Sequence, residues 1–296
     1  MTKLTEAISS ILKKTSLPVI TKYDLEVIIY DLYCQQYYEN QFLYLRKTVP
    51  EKSDIARNIS DLKKTGVVAK DHDLTGHIFR VLEVTDGSPE EIIAIVDPFA
   101  SISHLSAMNW HGFTDRIARE LQIVSPTKEI WKELAAKKAA NEFSKNKYLD
   151  EPEIPKRPNY KLPAKIRGRD IALRRISRIV DATTPSGARI NISTIGETFL
   201  QTLESSDLCG GMSHVLEIWD DYAVQNCDEI VKKIERAGSR IVKMRAGYIL
   251  TERLHLSNKI IDTWAELAMR GGSQKLDPSS DYVSEYSERW SISINA

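Results

Sequence analysis

No stretch of this 296-residue chain approaches the run of about eighteen apolar residues that a bilayer-spanning helix needs. The first residues, Met1-Thr2-Lys3-Leu4-Thr5-Glu6, include an early acid and no apolar signal-peptide core. These absences predict a cytoplasmic protein without a membrane partner. Cysteine is scarce: Cys34, Cys209 and Cys227 are too few and too scattered for a disulfide framework or a zinc pattern. An odd, sparse set fits a reducing compartment. A glycine-rich phosphate loop and a Gly-x-Ser-x-Gly nucleophile elbow are also missing. Leu208-Cys209-Gly210-Gly211-Met212 has only two glycines and no following Lys-Ser/Thr, so Walker-type nucleotide binding is not expected. Asp220-Asp221 lacks a third carboxylate for a Mg²⁺ site, and Cys209 lacks a basic neighbour to activate it. The expectation is a protein that is not an enzyme, with no catalytic residues, cofactor or metal.

What is present is a globular composition, 42% hydrophobic and 28% charged, in a chain long enough for two domains. Lys+Arg and Asp+Glu balance at 41 each, yet the charge is uneven. Residues 131–178 carry 14 Lys+Arg against 6 Asp+Glu, a net of +8, while 1–130 come to −3 and 179–296 to −5. Within the middle stretch, Lys156 to Arg178 holds 9 Lys+Arg against the single acid Asp170. Such a face can meet a nucleic acid, an acidic protein or nucleotide phosphates, or can simply be a solvated sheet surface.

Apolar spacing predicts a helix over Leu4, Ile8, Ile11 and Leu12, closed by Pro18, and a second over Leu25, Ile28, Ile29, Leu32 and Tyr33. A long polar and aromatic connection, Gln35 to Arg46, follows, with room for more helix or a short strand. A third helix is marked by Ile55, Ile59 and Leu62, with Gly66 where a C-terminal cap belongs. Two strands, Val67 to Lys70 and Ile78 to Val84, flank a polar tip. Helix, glycine, strand, turn, strand is the order of a winged helix-turn-helix, whose third helix enters the major groove. Its candidate DNA face is Lys52, Ser53, Arg57, Asn58, Lys63 and Lys64, with Lys70, His72, Thr75, His77 and Arg80 on the hairpin. Arg and Asn can read guanine and adenine edges, while lysines pair with phosphates. Residues 50–80 hold 6 Lys+Arg and 5 Asp+Glu, a weak electrostatic footprint, and winged helices also serve as protein-interaction modules.

Farther on, Ile92 to Val96 reads as a buried strand, and Ser101 or Ser103 can cap a helix that Gly112 ends. Thr127 to Lys147 reads as a helix, and the prolines at 152, 155, 158 and 163 as an extended connection. Strands are expected from Ala164 to Ile179. Helices follow near 197–203, 215–223, 228–237, 242–253 and 259–269, with Gly271-Gly272 as a break and a closing strand over 285–294. His104 and His111 lie seven apart, as metal ligands could on one helix face, but no Cys or His cluster completes a site and polar packing is the alternative.

Several separated segments resemble the abortive-infection AbiEi family. These are Ser103-His104-Leu105-Ser106-Ala107 with Asn109, His111, Gly112 and Thr114; Thr194 to Leu200 followed by Leu208-Cys209-Gly210-Gly211; Arg245-Ala246-Gly247-Tyr248-Ile249-Leu250; and Lys275-Leu276-Asp277-Pro278 with Glu288-Arg289-Trp290. Thr198 and Thr202 stand where the family shows Arg and Asp. The resemblance implies an antitoxin of a type IV toxin–antitoxin system in phage defence, which represses its own operon at inverted-repeat DNA. It would counter a nucleotidyltransferase-like toxin encoded next to it, with or without touching it. It places the antitoxic effect in the C-terminal domain, and Lys165, Arg167, Arg169, Arg174, Arg175 and Arg178 are the candidate surface. The expected architecture is α+β: a winged helix-turn-helix at 1–85 and a mixed α/β antitoxin domain at 86–296. The alternative is an antitoxin that binds its toxin directly without DNA.

Overall fold

The computed structural model describes residues 3–144, 155–268 and 274–296. The start of the chain, the expected helix end at Lys147, Pro152, and the expected break at Gly271-Gly272 lie outside the described residues. The protein is α+β, with a helix and strand mixture at the N-terminal side and a larger mixed-sheet region beyond it.

The first region runs α1 (Lys3–Thr15), β1 (Val19–Thr21), α2 (Lys22–Gln35), a small hairpin β2 (Tyr37–Tyr38) and β3 (Gln41–Phe42), α3 (Lys52–Lys64), β4 (Val68–Lys70) and β5 (Ile78–Val81). Thr21 caps α2 by accepting the Asp24 N–H. Gly66, at φ +71°, ends α3 in the left-handed conformation that a side chain would strain, and the Val67 N–H closes on Leu62 O at 2.9 Å. The strands order β1-β5-β4, all antiparallel, with Ile20 opposite Phe79 and Ala69 opposite Arg80. The sequence reading missed β1, because three residues buried on both faces carry no alternation.

Ile92 to Val96, expected as a strand, is the core of α4 (Pro89–Val96). Ser88 caps it, Pro89 sits at its first position and Glu90 and Glu91 meet its positive end, so the local N-terminal signals override a short apolar run. Then come β6 (Ser101–Ile102), α5 (His104–Trp110), β7 (Leu121–Pro126), α6 (Lys128–Ser144), β8 (Lys165–Ile166), β9 (Arg169–Ile176), β10 (Ala182–Thr183) and β11 (Ile192–Ser193). They form a mixed sheet in the order β10-β11-β6-β7-β9-β8, with β7 parallel to β9 and antiparallel to β6. The expected strands after Ala164 are therefore present, with β8 at the sheet edge.

A helical layer completes the chain: α7 (Ile195–Glu204), α8 (Met212–Tyr222), α9 (Cys227–Ala237), α10 (Arg240–Tyr248) and α11 (Lys259–Trp264). The hairpin β12 (Tyr286–Ser287) and β13 (Ile292–Ser293) closes over it. Phe199, Trp219, Ile230, Ile249, Trp264 and Trp290 form the core of this layer. A second core lies among α1, α2, α3 and one face of the three-stranded sheet, around Ile8, Leu12, Ile29, Leu62 and Phe79. A third joins both regions, packing Val19, Leu74 and Ile78 against Ile92, Ile102, Ile123, Ile166 and Ile192.

Gly247 marks the tightest approach in the helical layer. A Cβ there would stand 2.2–2.5 Å from the Trp290 ring, which is fully buried and fixed by its indole N–H donating to Thr251 Oγ1 at 3.0 Å. Overpacking of this kind costs about 1–3 kcal/mol. Gly247→Ala is expected to lower the unfolding free energy by that amount, read in urea as a lower midpoint at an unchanged slope; an unchanged midpoint would show that Trp290 can move aside.

Candidate nucleic-acid interface

Helix α3 is amphipathic by spacing. Ile55, Asn58, Ile59 and Leu62 face inward, whereas Lys52, Ser53, Ala56, Arg57, Lys63 and Lys64 are exposed. Five of the six α3 residues expected to face DNA therefore share one surface. Asn58 does not: it is 4% exposed and its side-chain amide donates to Asp54 O at 2.8 Å, one turn back in the same helix. As a reader of base edges it is corrected to a helix-internal residue. Asp54 accepts the Glu51 N–H at 3.1 Å, and Arg57 Nη2 lies 2.7 Å from it. The Glu51 N–H, then Lys47, holds the Asp54 carboxyl below the usual carboxylate range. Lys63 Nζ stands 4.5 Å from the centre of the Phe79 ring, bridging α3 and β5.

On the β4–β5 hairpin, Lys70, His72, Thr75 and His77 are exposed. Arg80 is not available in the same way, because its guanidinium pairs with Asp86 at 2.6 Å and is largely covered. The hairpin tip is tied down by Arg167, whose side chain is only 10% exposed. It reaches Asp71 Oδ2 at 2.6 Å, Asp73 Oδ2 at 2.8 Å and Asp86 Oδ1 at 3.0 Å. Burial alone would raise the Asp71 carboxyl, but Arg167 and the Leu74 and Asp73 N–H groups outweigh it and hold it low.

The six basic residues expected as an antitoxin surface are unequally available: Lys165, Arg174 and Arg175 are exposed, while Arg167, Arg169 and Arg178 are partly covered. Besides Arg167, Arg178 pairs with the fully buried Glu197 at 2.6 Å and with Glu204 at 2.8 Å. Arg175 hydrogen-bonds Ser125 Oγ at 2.6 Å and lies 3.5 Å from the buried Asp97. Arg169 donates to Ala118 O at 2.6 Å, and Lys165 pairs with Asp170 at 3.3 Å. Only Arg174 combines exposure with no hydrogen bond or ion pair among the described residues. Opposed carboxylates, which spacing could not show, turn Arg167 and Arg178 into internal struts.

The motifs around His104, His111 and Glu197, far apart in sequence, converge on a second polar cluster. Glu197 contacts Arg178 and, at 2.6 Å, Lys233 Nζ, which also lies 3.1 Å from Asp181. Gln201 donates to Glu197 at 3.1 Å and to Ser193 Oγ at 3.0 Å, and accepts the His104 N–H at 3.0 Å. The sequence reading did not single out Gln201, Lys233 or Asp181. Thr198 and Thr202, at the two positions that depart from the resembled pattern, bond Ser193 O and Phe199 O, and Thr202 also accepts the Trp219 indole N–H.

His104 and His111 do not act as a ligand pair. Helix α5 spans only His104–Trp110, and His104 itself has a left-handed φ of +50°. His104 Nδ1 meets Ser103 Oγ at 2.9 Å, while His111 Nε2 donates to Ser193 O at 2.8 Å and its ring stacks on Phe113. No group of three or more His, Cys, Asp or Glu arranged to hold a metal occurs among the described residues. No helix among them is long and apolar enough to cross a membrane.

Fold and site together define an α+β protein with a basic helix face beside a clamped hairpin. No protein-family model matches the chain, and no curated protein matches it. It is similar to the crystal structure of the RV2827C protein from Mycobacterium tuberculosis, at 11% identity over 99% of this chain and 91% of that one, with a TM-score of 0.48.

Burial, reinforced by the nearby Arg174 charge, pushes the His104 imidazole down to about 4 from 6.5. The unfolded chain thus binds a proton that the folded one refuses between those two values, so stability falls as pH drops from about 6.5 to about 4. His104→Asn, which suits the positive φ, is expected to flatten this acid limb in urea unfolding at pH 7 and pH 4.5. An equally steep limb in the variant would assign the acid sensitivity to another group.

Proposed function

We propose that the chain is a DNA-binding repressor and antitoxin of the AbiEi kind, with a winged helix-turn-helix at its N-terminal side. One observation carries the reading: α1-β1-α2-α3-β4-β5, with strand order β1-β5-β4, leaves the basic face of α3 exposed beside the hairpin. A third helix presented with a flanking hairpin has the geometry of a major-groove reader. In this reading Arg57 reaches base edges near the start of α3, and Lys52, Lys63, Lys64 and Lys70 meet phosphates. The natural site is an inverted repeat upstream of its own gene, where two copies bind related half-sites. The antitoxic effect against the adjacently encoded nucleotidyltransferase-like toxin belongs to the second region.

The antitoxin that binds its toxin without DNA has a different support. Tyr37, Phe42 and Tyr44 are exposed on and after the β2–β3 hairpin and pack edge to face, an apolar ladder suited to a protein surface. Co-purification with the neighbouring gene product, without DNA binding, would establish that version.

The repressor reading predicts salt-dependent binding to the upstream repeat in preference to random duplex. Lys63→Ala with Lys64→Ala is expected to flatten the log K against log salt slope by about 2. Arg57→Ala is expected to cost about 1–3 kcal/mol and relax sequence preference. Asn58→Ala is expected to lower stability and leave affinity per folded molecule alone. Equal affinity for random duplex, measured by gel shift, would remove the repressor function.

A further inference from the structure

Arg167 and Gly168 are the two residues linking β8 to β9, with φ of +50° and +80°. Lys165 pairs with Asp170 and Ile166 with Arg169, so the link is a two-residue hairpin turn with both central residues left-handed. Asn, Asp or Gly suit its first position; a long side chain there stores about 1–2 kcal/mol of strain. The contacts of Arg167 account for that exception. Its backbone N–H donates to Asp73 Oδ2 at 2.7 Å, and its guanidinium spans three carboxylates, as an ammonium could not. Two of those carboxylates, Asp71 and Asp73, lie in the tip of the β4–β5 hairpin, and Asp86 follows β5. Asp71 Oδ1 also accepts the Asp73 and Leu74 N–H groups at 2.9 and 3.0 Å, so it shapes the tip from inside while Arg167 ties it from outside. The exposed hairpin residues alternate with the clamped ones: Lys70, His72 and Thr75 flank Asp71 and Asp73.

We propose that Arg167 is a positioning residue for DNA binding. It contacts no DNA itself and holds the hairpin tip where Lys70, His72 and Thr75 meet the same duplex as α3. The proposal rests on the repressor reading.

For loss of the carboxylates, charge and position predict opposite signs, which makes that arm of the test decisive. Removing carboxylates near a DNA surface should tighten binding by electrostatics alone. If the clamp sets the geometry, the same change should weaken it. Two full-length variants serve. One is Arg167→Asn, which suits the left-handed turn. The other combines Asp71→Asn with Asp73→Ala, so that the introduced amide oxygen can still accept the tip N–H groups. Affinity for the upstream duplex is read by fluorescence anisotropy at fixed salt and scaled to the folded fraction. Amide exchange is followed at residues 70–77 and through α3.

Both variants are expected to bind about tenfold more weakly than wild type, a change of about 1.4 kcal/mol. Exchange is expected to quicken at the hairpin tip and to stay slow in α3. Wild-type or tighter binding by the doubly substituted variant, whatever Arg167→Asn does, would overturn the proposal and leave the repressor reading standing. If the wild-type protein shows no preference for the upstream duplex, the repressor reading fails and the role of Arg167 fails with it.

Discussion

The pairing of buried arginines with carboxylates from distant parts of the chain is the interaction on which the arrangement depends. Arg157, 3% exposed at its side chain, meets Asp24 at 2.8 Å and lies over the Tyr23 ring. Arg167 holds Asp71, Asp73 and Asp86, and Arg178 holds Glu197 and Glu204. Taking such a cation out of water costs several kcal/mol, which only well-placed partners offset. Losing one partner leaves a buried charge uncompensated, typically at about 3–5 kcal/mol. The struts therefore constrain the relative placement of elements more than they add net stability.

These pairs also explain the charge distribution. The +8 of residues 131–178 sits between segments of −3 and −5, and the ion pairs connect them. Asp24, Asp71, Asp73, Asp86 and Asp97 come from the first segment, and Glu197 and Glu204 from the last. Much of the local excess is neutralised inside the molecule. The weak footprint of residues 50–80 changes in the opposite sense, because Asp54 and Asp71 are buried and Asp73 is mostly covered. Lys52, Arg57, Lys63 and Lys64 remain on the exposed face of α3.

The sequence was legible where periodicity and caps agreed. Ile55, Ile59, Leu62 and Gly66 located α3 and its end, and the helices of the last hundred residues followed from their spacing. It was illegible where a signal depends on distant partners. Nothing local distinguishes Arg167, a strut, from Arg174, which is exposed. Nothing in Asp54-Ile55-Ala56-Arg57-Asn58 says that Asn58 turns back onto its own helix. Ile92 to Val96 misled because five consecutive apolar side chains satisfy a buried strand and a short helix alike, and the Ser88-Pro89 start decides. For the candidate interface, the exposed face of α3 could be anticipated except at Asn58, whereas the tie on the hairpin could not.

The three-stranded sheet of the first region is packed from both sides. Ile20, Phe79 and Val81 belong to the core with α1, α2 and α3, while Val19, Leu74 and Ile78 belong to the core with α4 and the mixed sheet. Exposing a side chain of this kind costs about 1.5–3 kcal/mol. The sheet beside α3 thus lacks a water-facing side until the second region covers it. A shift of the mixed sheet would act on the hairpin directly, through Val19, Leu74 and Ile78 beneath it and Arg167 at its tip. No long chain of intermediate residues is needed to carry a change from the second region to α3, because one sheet is a wall of both cores.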